Sequence, residues 1–593
     1  MIEKMTKYSF VMLSADKEEF LSKLQELGLV DITRSEKPVD ERSQNLLASA
    51  ELRNGLIKGL RNADIPEGTE PVEYGKDEDV ERIAGGTLML YNETRQKVAD
   101  LQKELDSCSI WGNFDHSVLE TLAGAGAQIH FHRIAVKRFL PEWEDTHAIT
   151  EIGRDKSNVY FVVAGEDGLP GEIPVPEKDA AKVGAELEQA KADLRKYEGE
   201  ILALRERIPE LEAASAKAIT DLDRYLAGVA ASTAAEDKIV VMEGFCPEEK
   251  VAAADAFIEQ SKSLCIKEDA NVEDNPPIEF RNNKFVKMFE VLTDMYGRPA
   301  YNGFDPTPYI AIFFMLFFAF CMGDAGYGLI LIALGLGMKK MLGDLAPLVT
   351  TLGVATTVIG FLFHTFFSMD IAQWQIFAPI KGIFLPAQIA GYDGTMVLSL
   401  VVGIVHLSIA MIVKTYMATK QNGFLGSLGV WGWTLLIVGG VVVGTFALLG
   451  VLDKDITKII VIVLGVVSAL GIFLFNDIHR NPLANIGSGL WEAYNTVTGL
   501  LGDVLSYLRL YALGLAGSML GKAFNDIGLS VLGDGSAIAL WIPFLLIVLV
   551  GHVLNIAMAA LGAFVHPLRL NFLEFFKNSG YDAAGRSYNP LKK

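Results

Sequence analysis

Polar and apolar positions divide the 593 residues of this chain into two unlike halves. Beyond about residue 303, apolar stretches follow one another: Tyr309–Met322, Gly326–Met338, Ala346–Phe367, Met396–Tyr416, Gly426–Val451, Ile459–Phe475, Asn495–Leu520 and Ile538–Phe564. A bilayer-crossing helix needs about 20 mostly apolar residues. The pattern therefore predicts an α-helical polytopic membrane domain over 304–593, with about eight transmembrane helices, the last two long and tilted. The first two stretches are nearer half-spans, separated by Gly323-Asp324-Ala325-Gly326, and read either as a tight hairpin or as one broken helix.

Residues 1–303 carry shorter periodicities. Tyr8–Leu13 alternates like a strand, Lys17–Leu27 is helical with Gly28 as its stop, and Val30–Thr33 reads as a strand again. Asp79–Cys108 reads as a charged helix. From Val183 the apolar positions Leu187, Ala190, Leu194, Tyr197, Ile201, Leu204, Ile208 and Leu211 alternate by fours and threes, the heptad signal of a coiled coil, with Pro209 expected to kink it near its end. Strands are expected at Ile129–Ile134, Asn158–Val163 and Lys238–Met242, and a helix at Glu248–Lys262. The simplest assembly is an α/β dumbbell, two small lobes joined by an antiparallel helical hairpin. Such a strut suits bridging between partners and implies no deep enzyme pocket. His130 and His132, alternating on one strand without other ligands nearby, read as surface structural residues.

Charge separates the halves further. Residues 1–303 hold 37 Lys+Arg against 58 Asp+Glu and residues 304–593 hold 15 against 14, so the net charge of −20 belongs to the first half. An acidic arm argues against nucleic acid, which needs basic patches. The N-terminal segment lacks a signal-peptide pattern, so the first half is expected in the cytoplasm. With eight spans, Lys339/Lys340, Lys414/Lys420, His479/Arg480 and Lys577/Arg586/Lys592/Lys593 then fall inside, while Lys381, Lys454 and Lys458 fall outside, which satisfies the positive-inside rule as a bias. Cys108, Cys246, Cys265 and Cys321 show no metal-ligand spacing and read as small buried apolar residues. No metal or cofactor is expected.

One residue of the membrane half demands a chemical explanation. Arg509 stands in the middle of the Asn495–Met519 segment. A guanidinium does not shed its proton, and at bilayer depth it costs roughly 2.5–3.5 kcal/mol on insertion scales, so it normally faces a protein interior or a water path and marks ion movement. Gly502, Ser506, Arg509, Leu513, Ala516/Gly517 and Leu520 share its helix face, a small and apolar stripe that admits another helix closely. The final helix adds Arg569 and His566, with His552 and Asn555 nearer its outer half. Glu492, Asn495 and Asp503 lie toward the cytoplasmic side of Arg509, and Asp324 lies toward the exterior. This is the layout of two offset half-channels separated by a charge. His364 and His406 read as packing residues.

Ser506-Tyr507-Leu508-Arg509-Leu510-Tyr511-Ala512-Leu513 resembles the SYLRL(F/W)AL motif of the membrane stator subunit (a, or I) of V-type and archaeal-type rotary ATPases, and His566–Phe575 resembles that family's VHxLRLxxxEF stretch. Asp305-Pro306-Thr307-Pro308, Met322–Gly328 and Glu243-Gly244-Phe245-Cys246-Pro247 are similar to its DPTP, FGDxGxG and EGWVP segments. Gly517 and Ala559 depart from the eukaryotic pattern, which has histidine and glutamate there, so an outer path would be lined differently, by His552 and Asn555. The resemblance implies a proteolipid (c/K) ring whose carboxylates pass Arg509, peripheral-stalk heterodimers and a central-stalk cap as partners of the arm, and a site in an archaeal or bacterial cell membrane. It leaves open whether the ion is H⁺ or Na⁺. The chain has no G-x-x-x-x-G-K-[ST] phosphate loop, so ATP chemistry is assigned to partner chains. The competing reading, a self-contained secondary transporter with a regulatory domain, predicts paired interrupted helices in two repeats, and no such repeat is visible.

Overall fold

In the computed structural model the chain separates into two compact units, Met1–Phe10 with Glu243–Pro590, and Val11–Met242 with Leu591–Lys593. The structure describes every residue except 36, 73–78, 141, 166–167, 176–179, 235, 237, 260–262, 377–378, 380–381, 383, 387, 390, 476–481, 534–537 and 593. The expectations placed on Lys381, His479, Arg480, Lys593 and the last turn of Glu248–Lys262 lie outside the described residues.

The N-terminal β-α-β start is present as β1 (Met5–Leu13), α1 (Lys17–Leu27) and β2 (Asp31–Ile32). Gly28 ends α1 at φ +66°, in the left-handed region, its N–H closing on Leu24 O, which is the conformation glycine adopts without a Cβ penalty. Four long helices follow: α2 (Glu41–Asn62), α3 (Val80–Cys108), α4 (Ala180–Glu206) and α5 (Ile208–Ala230). α3 packs along α4 and α2 along α5, so the expected single hairpin is instead two helix pairs. α2 escapes a periodicity search because its buried positions are Ser43, Ala50, Ile57 and Leu60, two of them small or polar. The heptad residues do form the seam: Val183, Leu187, Ala190, Ile201, Leu204 and Leu211 are all buried. Pro209 does not bend a helix near its end. It sits in the first turn of α5, where its missing N–H has no helical partner to lose, and 23 residues of helix follow the break at Arg207.

The intervening lobe is an antiparallel sheet of β3 (Ile129–Ala135), β4 (Ala148–Arg154), β5 (Asn158–Ala164) and β6 (Glu172–Ile173) in the order β4-β5-β3-β6. Its core is Ile134, Val159, Phe161 and Val163. His132 corrects the surface expectation. It is fully buried and stacks on Phe161 directly opposite in the ladder, whereas His130 pairs with Glu172 at 2.8 Å. The central position of β3 between two strands leaves His132 no route to water.

In the other unit, the N-terminal residues of β1 lie between the Glu243–Pro247 end of β7 (Ile239–Pro247) and β8 (Leu264–Asp269), beside α6 (Val251–Glu259). Tyr8 donates to Asp255 at 2.6 Å, and Lys7 binds Asp274 at 2.7 Å and Glu243 at 3.1 Å. Of the nine helices next introduced, the first two are the short α7 (Thr307–Met322) and α8 (Ala325–Gly337), divided by Gly323 at φ +55°. α7 packs on α9 (Ala346–Leu362) and α8 also packs on α9. Glycines bring α8 and α9 together: a Cβ on Gly328 would lie 2.5 Å from Thr357 N, and one on Gly360 2.2 Å from Ala325 N. α10 (Gly394–Gly426), α11 (Leu428–Leu448), α12 (Lys454–Phe473), α13 (Pro482–Ser506), α14 (Leu508–Leu532) and α15 (Trp541–Arg569) complete the membrane half.

Six described segments are long and apolar enough to cross a membrane, while α7 and α8 are shorter. The Arg509 segment is longer than its apolar pattern: Asn485–Leu532 spans 48 residues, interrupted only at Tyr507. At 1.5 Å per residue this is about 72 Å, more than twice a hydrocarbon core of about 30 Å, so the helix is inclined or projects from the bilayer. The final segment likewise runs Ile538–Ser579, through Pro567 and into a π-helical stretch, Leu570–Phe575. The expected helix ends at Met519 and Phe564 are therefore too early, because small and polar residues continue the helices past the apolar run.

Two outcomes test this packing. Leu204→Asp places a carboxylate in the seam of α4, so the purified protein should show sharply faster limited proteolysis within residues 180–230. The Lys7 ammonium beside it, with the Asn271 backbone N–H next, holds the Asp274 carboxyl below its ordinary 3.8. That contribution is complete above pH 3.8 and disappears as pH falls through the lowered value. Asp274→Asn should thus cost about 1 kcal/mol at neutral pH, with the gap to wild type in thermal unfolding closing as pH falls below 3.8.

Candidate functional site

The Tyr507 side chain fixes the position of Arg509. It is fully buried, its hydroxyl lies 2.8 Å from His406 Nδ1, and Phe317 packs edge-on against its ring. Gly403 makes room for it, since a Cβ there would fall 2.3 Å from Tyr507 Cγ. With the helix interrupted at this plug, Arg509 stands one turn into renewed helix, half-buried, its Nη1 atom enclosed and without a hydrogen-bond partner among the described residues. Cys321 and His566 lie within its electrostatic reach. Arg569 is exposed on α15.

One polar cluster precedes Arg509 along the chain. Asp503 accepts from Lys577 Nζ at 3.1 Å and Asn578 Nδ2 at 2.8 Å, which commits its charge. Ser506 Oγ donates to Gly502 O at 3.0 Å and is also a partner of Glu574. Glu574, buried at 4% exposure, is the residue that sequence reasoning missed, although it is the lone acid in the apolar Leu570–Phe576 run. Its Oε2 has no hydrogen-bond partner among the described residues, and Arg509 and Asp503 act on it electrostatically. Glu492 is half-buried and Asn495 exposed. Asn495 stands 14 residues before Arg509, about 21 Å along a helix, and no described contact joins either residue to the arginine.

A second cluster follows Arg509 and joins four predicted or neighbouring elements. Asp324 is 4% exposed and accepts four backbone N–H groups: Gly326 at 2.8 Å and Tyr327 at 3.2 Å at the start of α8, and Phe367 at 2.9 Å and Ser368 at 2.6 Å across the chain. Phe367 and Ser368 have φ of +47° and +57°, strained for residues with side chains, and form the tight turn between the short strands Thr365–Phe366 and Met369–Asp370. The Asp324 carboxylate pins that turn. Tyr327 then reaches His552 Nδ1 at 2.7 Å, and Asn555 Nδ2 donates to Tyr327 Oη and to Gly517 O, both at 2.8 Å. Asn525 Nδ2 donates to Phe367 O at 2.9 Å, which turns its Oδ1 to His552 Nε2 at 3.0 Å. These directions assign the proton of the neutral imidazole to Nε2 and make the tyrosine hydroxyl the donor to Nδ1.

The structure thus brings Asp324, His552 and Asn555 together through Tyr327, which the sequence reading did not select. Gly517 contributes its carbonyl, and Gly521 is obligatory, since a Cβ would lie 2.0 Å from Ser368 Oγ. Beside the turns of α14 that follow Arg509, a cavity of about 230 Å³ is lined by Phe320, His364, Asp393, Tyr511, Gly514 and Ser518, among others. His364 pairs with Asp370 at 3.0 Å, and His406 is fully buried, stacked on Phe575.

A multi-pass helical membrane protein with an enclosed cation between two polar clusters is the class that this fold and site define. The family described as the V-type ATPase 116kDa subunit family matches residues 185–346 and 494–593, the second segment containing both arginines. The chain is similar to the A-type ATP synthase subunit I of Methanocaldococcus jannaschii, at 27% identity over 95% of this chain and 83% of the relative. It is also similar to the V-type ATP synthase subunit I 1 of Treponema pallidum, at 25% identity over the whole of both chains. A crystal structure of the cytoplasmic N-terminal domain of subunit I, homolog of subunit a, of V-ATPase, aligns over 44% of this chain and all of that one, with 14% identity and a TM-score of 0.17, too low to bear on the fold. Over those two segments the chain resembles the V-type ATPase 116kDa subunit family.

Replacing Asp324 by Asn leaves one oxygen for four N–H groups and turns an amide donor toward some of them. The expected cost is about 2–4 kcal/mol, from donors left unsatisfied in a buried site. It should appear as a lower unfolding temperature and as new proteolysis near residues 365–370, and an unchanged unfolding temperature would show that the carboxylate is not the pin.

Proposed function

We propose that this chain is the non-catalytic membrane stator subunit of a V/A-type rotary ATPase or ATP synthase. In this reading residues 304–593 carry two half-channels for H⁺ or Na⁺ at the interface with a proteolipid ring, and residues 1–303 form a cytoplasmic arm. The observation that carries the reading is the enclosed Nη1 of Arg509, which has no hydrogen-bond partner among the described residues, within a helical segment long and apolar enough to cross a membrane. Such a group requires an anion from elsewhere, and a carboxylate arriving on another helix meets that requirement.

The mechanism follows from charge. A carboxylate in low dielectric holds its proton or cation until a guanidinium comes close and favours the ionised form. Arg509 would make each ring carboxylate release its ion on one side and would block direct passage between the half-channels, so ion flow requires rotation. Glu492, Asn495, Asp503 and Ser506 would serve the inner path. His552 and Asn555, with Asp324 as their anchor through Tyr327, would border the outer one, and His566 and the exposed Arg569 would extend the positive field toward the ring. The arm would hold peripheral-stalk heterodimers and the central-stalk cap against torque, with membrane lipid around the helices and ATP turnover in partner chains.

Arg509→Lys keeps the charge and removes the planar fork that engages a passing carboxylate from several angles. In membrane vesicles bearing the intact complex, the variant should assemble normally and lose ATP-driven ion uptake. Near-normal uptake would refute the role.

A further inference from the structure

The buried carboxylate of Glu574 has no place in the scheme above, although Arg509 acts on it electrostatically. Three features converge on it. It is 4% exposed, its Oε2 has no hydrogen-bond partner among the described residues, and its neighbour one turn back, Asn571, fully buried, has an unpartnered Oδ1 as well. Both sit in the π-helical stretch Leu570–Phe575, a widened turn of the kind that recurs at functional sites because it re-aims side chains. Across from them, Ser506 contacts Glu574, and Arg509, with its own unpartnered Nη1, is within electrostatic reach. The alternative counter-ion, Asp503, is already held by Lys577 and Asn578.

A structural ion pair would be closed by a direct hydrogen bond, and a packing residue would be apolar. A carboxylate with one oxygen anchored and the other bare, beside an arginine with one bare nitrogen, is arranged to exchange partners. We propose that Glu574 is a relay for the transported cation, standing between the inner path and the ring carboxylate that faces Arg509. For a proton, the carboxylate of Glu574 takes H⁺ from water on the inner side, forming its O–H bond. It then gives the same proton to the ionised ring carboxylate, breaking that bond and making the acceptor neutral. The neutralised carboxyl leaves the guanidinium, and Glu574 returns to its ionised form, so atoms and charge balance over the cycle. The groups facing it are Asp503 and Ser506 on α13, Tyr507 between the helices, Arg509 on α14, Lys577 on its own helix and His406 of α10 behind Tyr507.

This rests on the stator reading, and the test separates the two. Glu574→Gln, Glu574→Asp and Arg509→Ala are compared in the intact complex in vesicles, by subunit content and by ATP-driven ion uptake across pH. Glu574→Gln should assemble and lower uptake at least tenfold, having no group to carry a proton. Glu574→Asp should retain most of the uptake, with its pH profile moved to the acid side, since aspartate is the stronger acid by about 0.4 units. A change of profile is something a purely structural role would not produce. Uptake by the Gln variant within twofold of wild type, equal loss in Gln and Asp, or failure of both to assemble would each overturn the relay. Loss in Arg509→Ala with normal uptake in Glu574→Gln discards the relay alone, whereas normal uptake in Arg509→Ala discards the stator reading itself.

Discussion

A half-buried guanidinium whose enclosed Nη1 has no hydrogen-bond partner among the described residues is the constraint around which the membrane half is organised. Arg509 cannot deprotonate, and in a low-dielectric setting an uncompensated charge costs several kcal/mol. The fold does not remove that cost with an internal salt bridge. It places Tyr507 as a buried plug behind the arginine, bound to His406 and seated over Gly403, so the guanidinium is held at a defined point on an interrupted helix. Asp503, the acid six residues earlier, is tied to Lys577 and Asn578. The cation therefore stays available to a group from outside.

The surrounding architecture keeps the two polar clusters rigid and apart. Beyond Arg509, Asp324 organises four backbone amides, and Tyr327, His552, Asn525 and Asn555 form a network whose hydrogen-bond directions are mutually determined. In such a network, losing one member leaves buried groups unpaired. Before Arg509 the balance differs. Glu574 and Asn571 each retain an unpartnered oxygen in a π-helical turn.

The Val11–Met242 unit is held together by different means. Its helix pairs bury aliphatic seams, and its lobe buries even a histidine, His132, within the sheet.

Local sequence alone determined a good deal: the membrane half from its apolar runs, the heptad seam from Val183 to Leu211, the stop at Gly28, and Arg509 as the residue to explain. These were legible because hydropathy, periodicity and an isolated charge are properties of nearby residues. What only the tertiary structure decided were relations across the chain. α2 was hidden because its seam uses Ser43 and Ala50. Tyr327 acquired a role only when folding set it against His552 and Asn555, more than 200 residues away. Asp324 proved to be a four-amide anchor because the strained turn at Phe367 and Ser368 arrives from another segment. Glu574 stood out only once its burial and its missing partner were visible. Hydrogen-bond satisfaction is a property of three-dimensional neighbours, and no spacing along the chain encodes it.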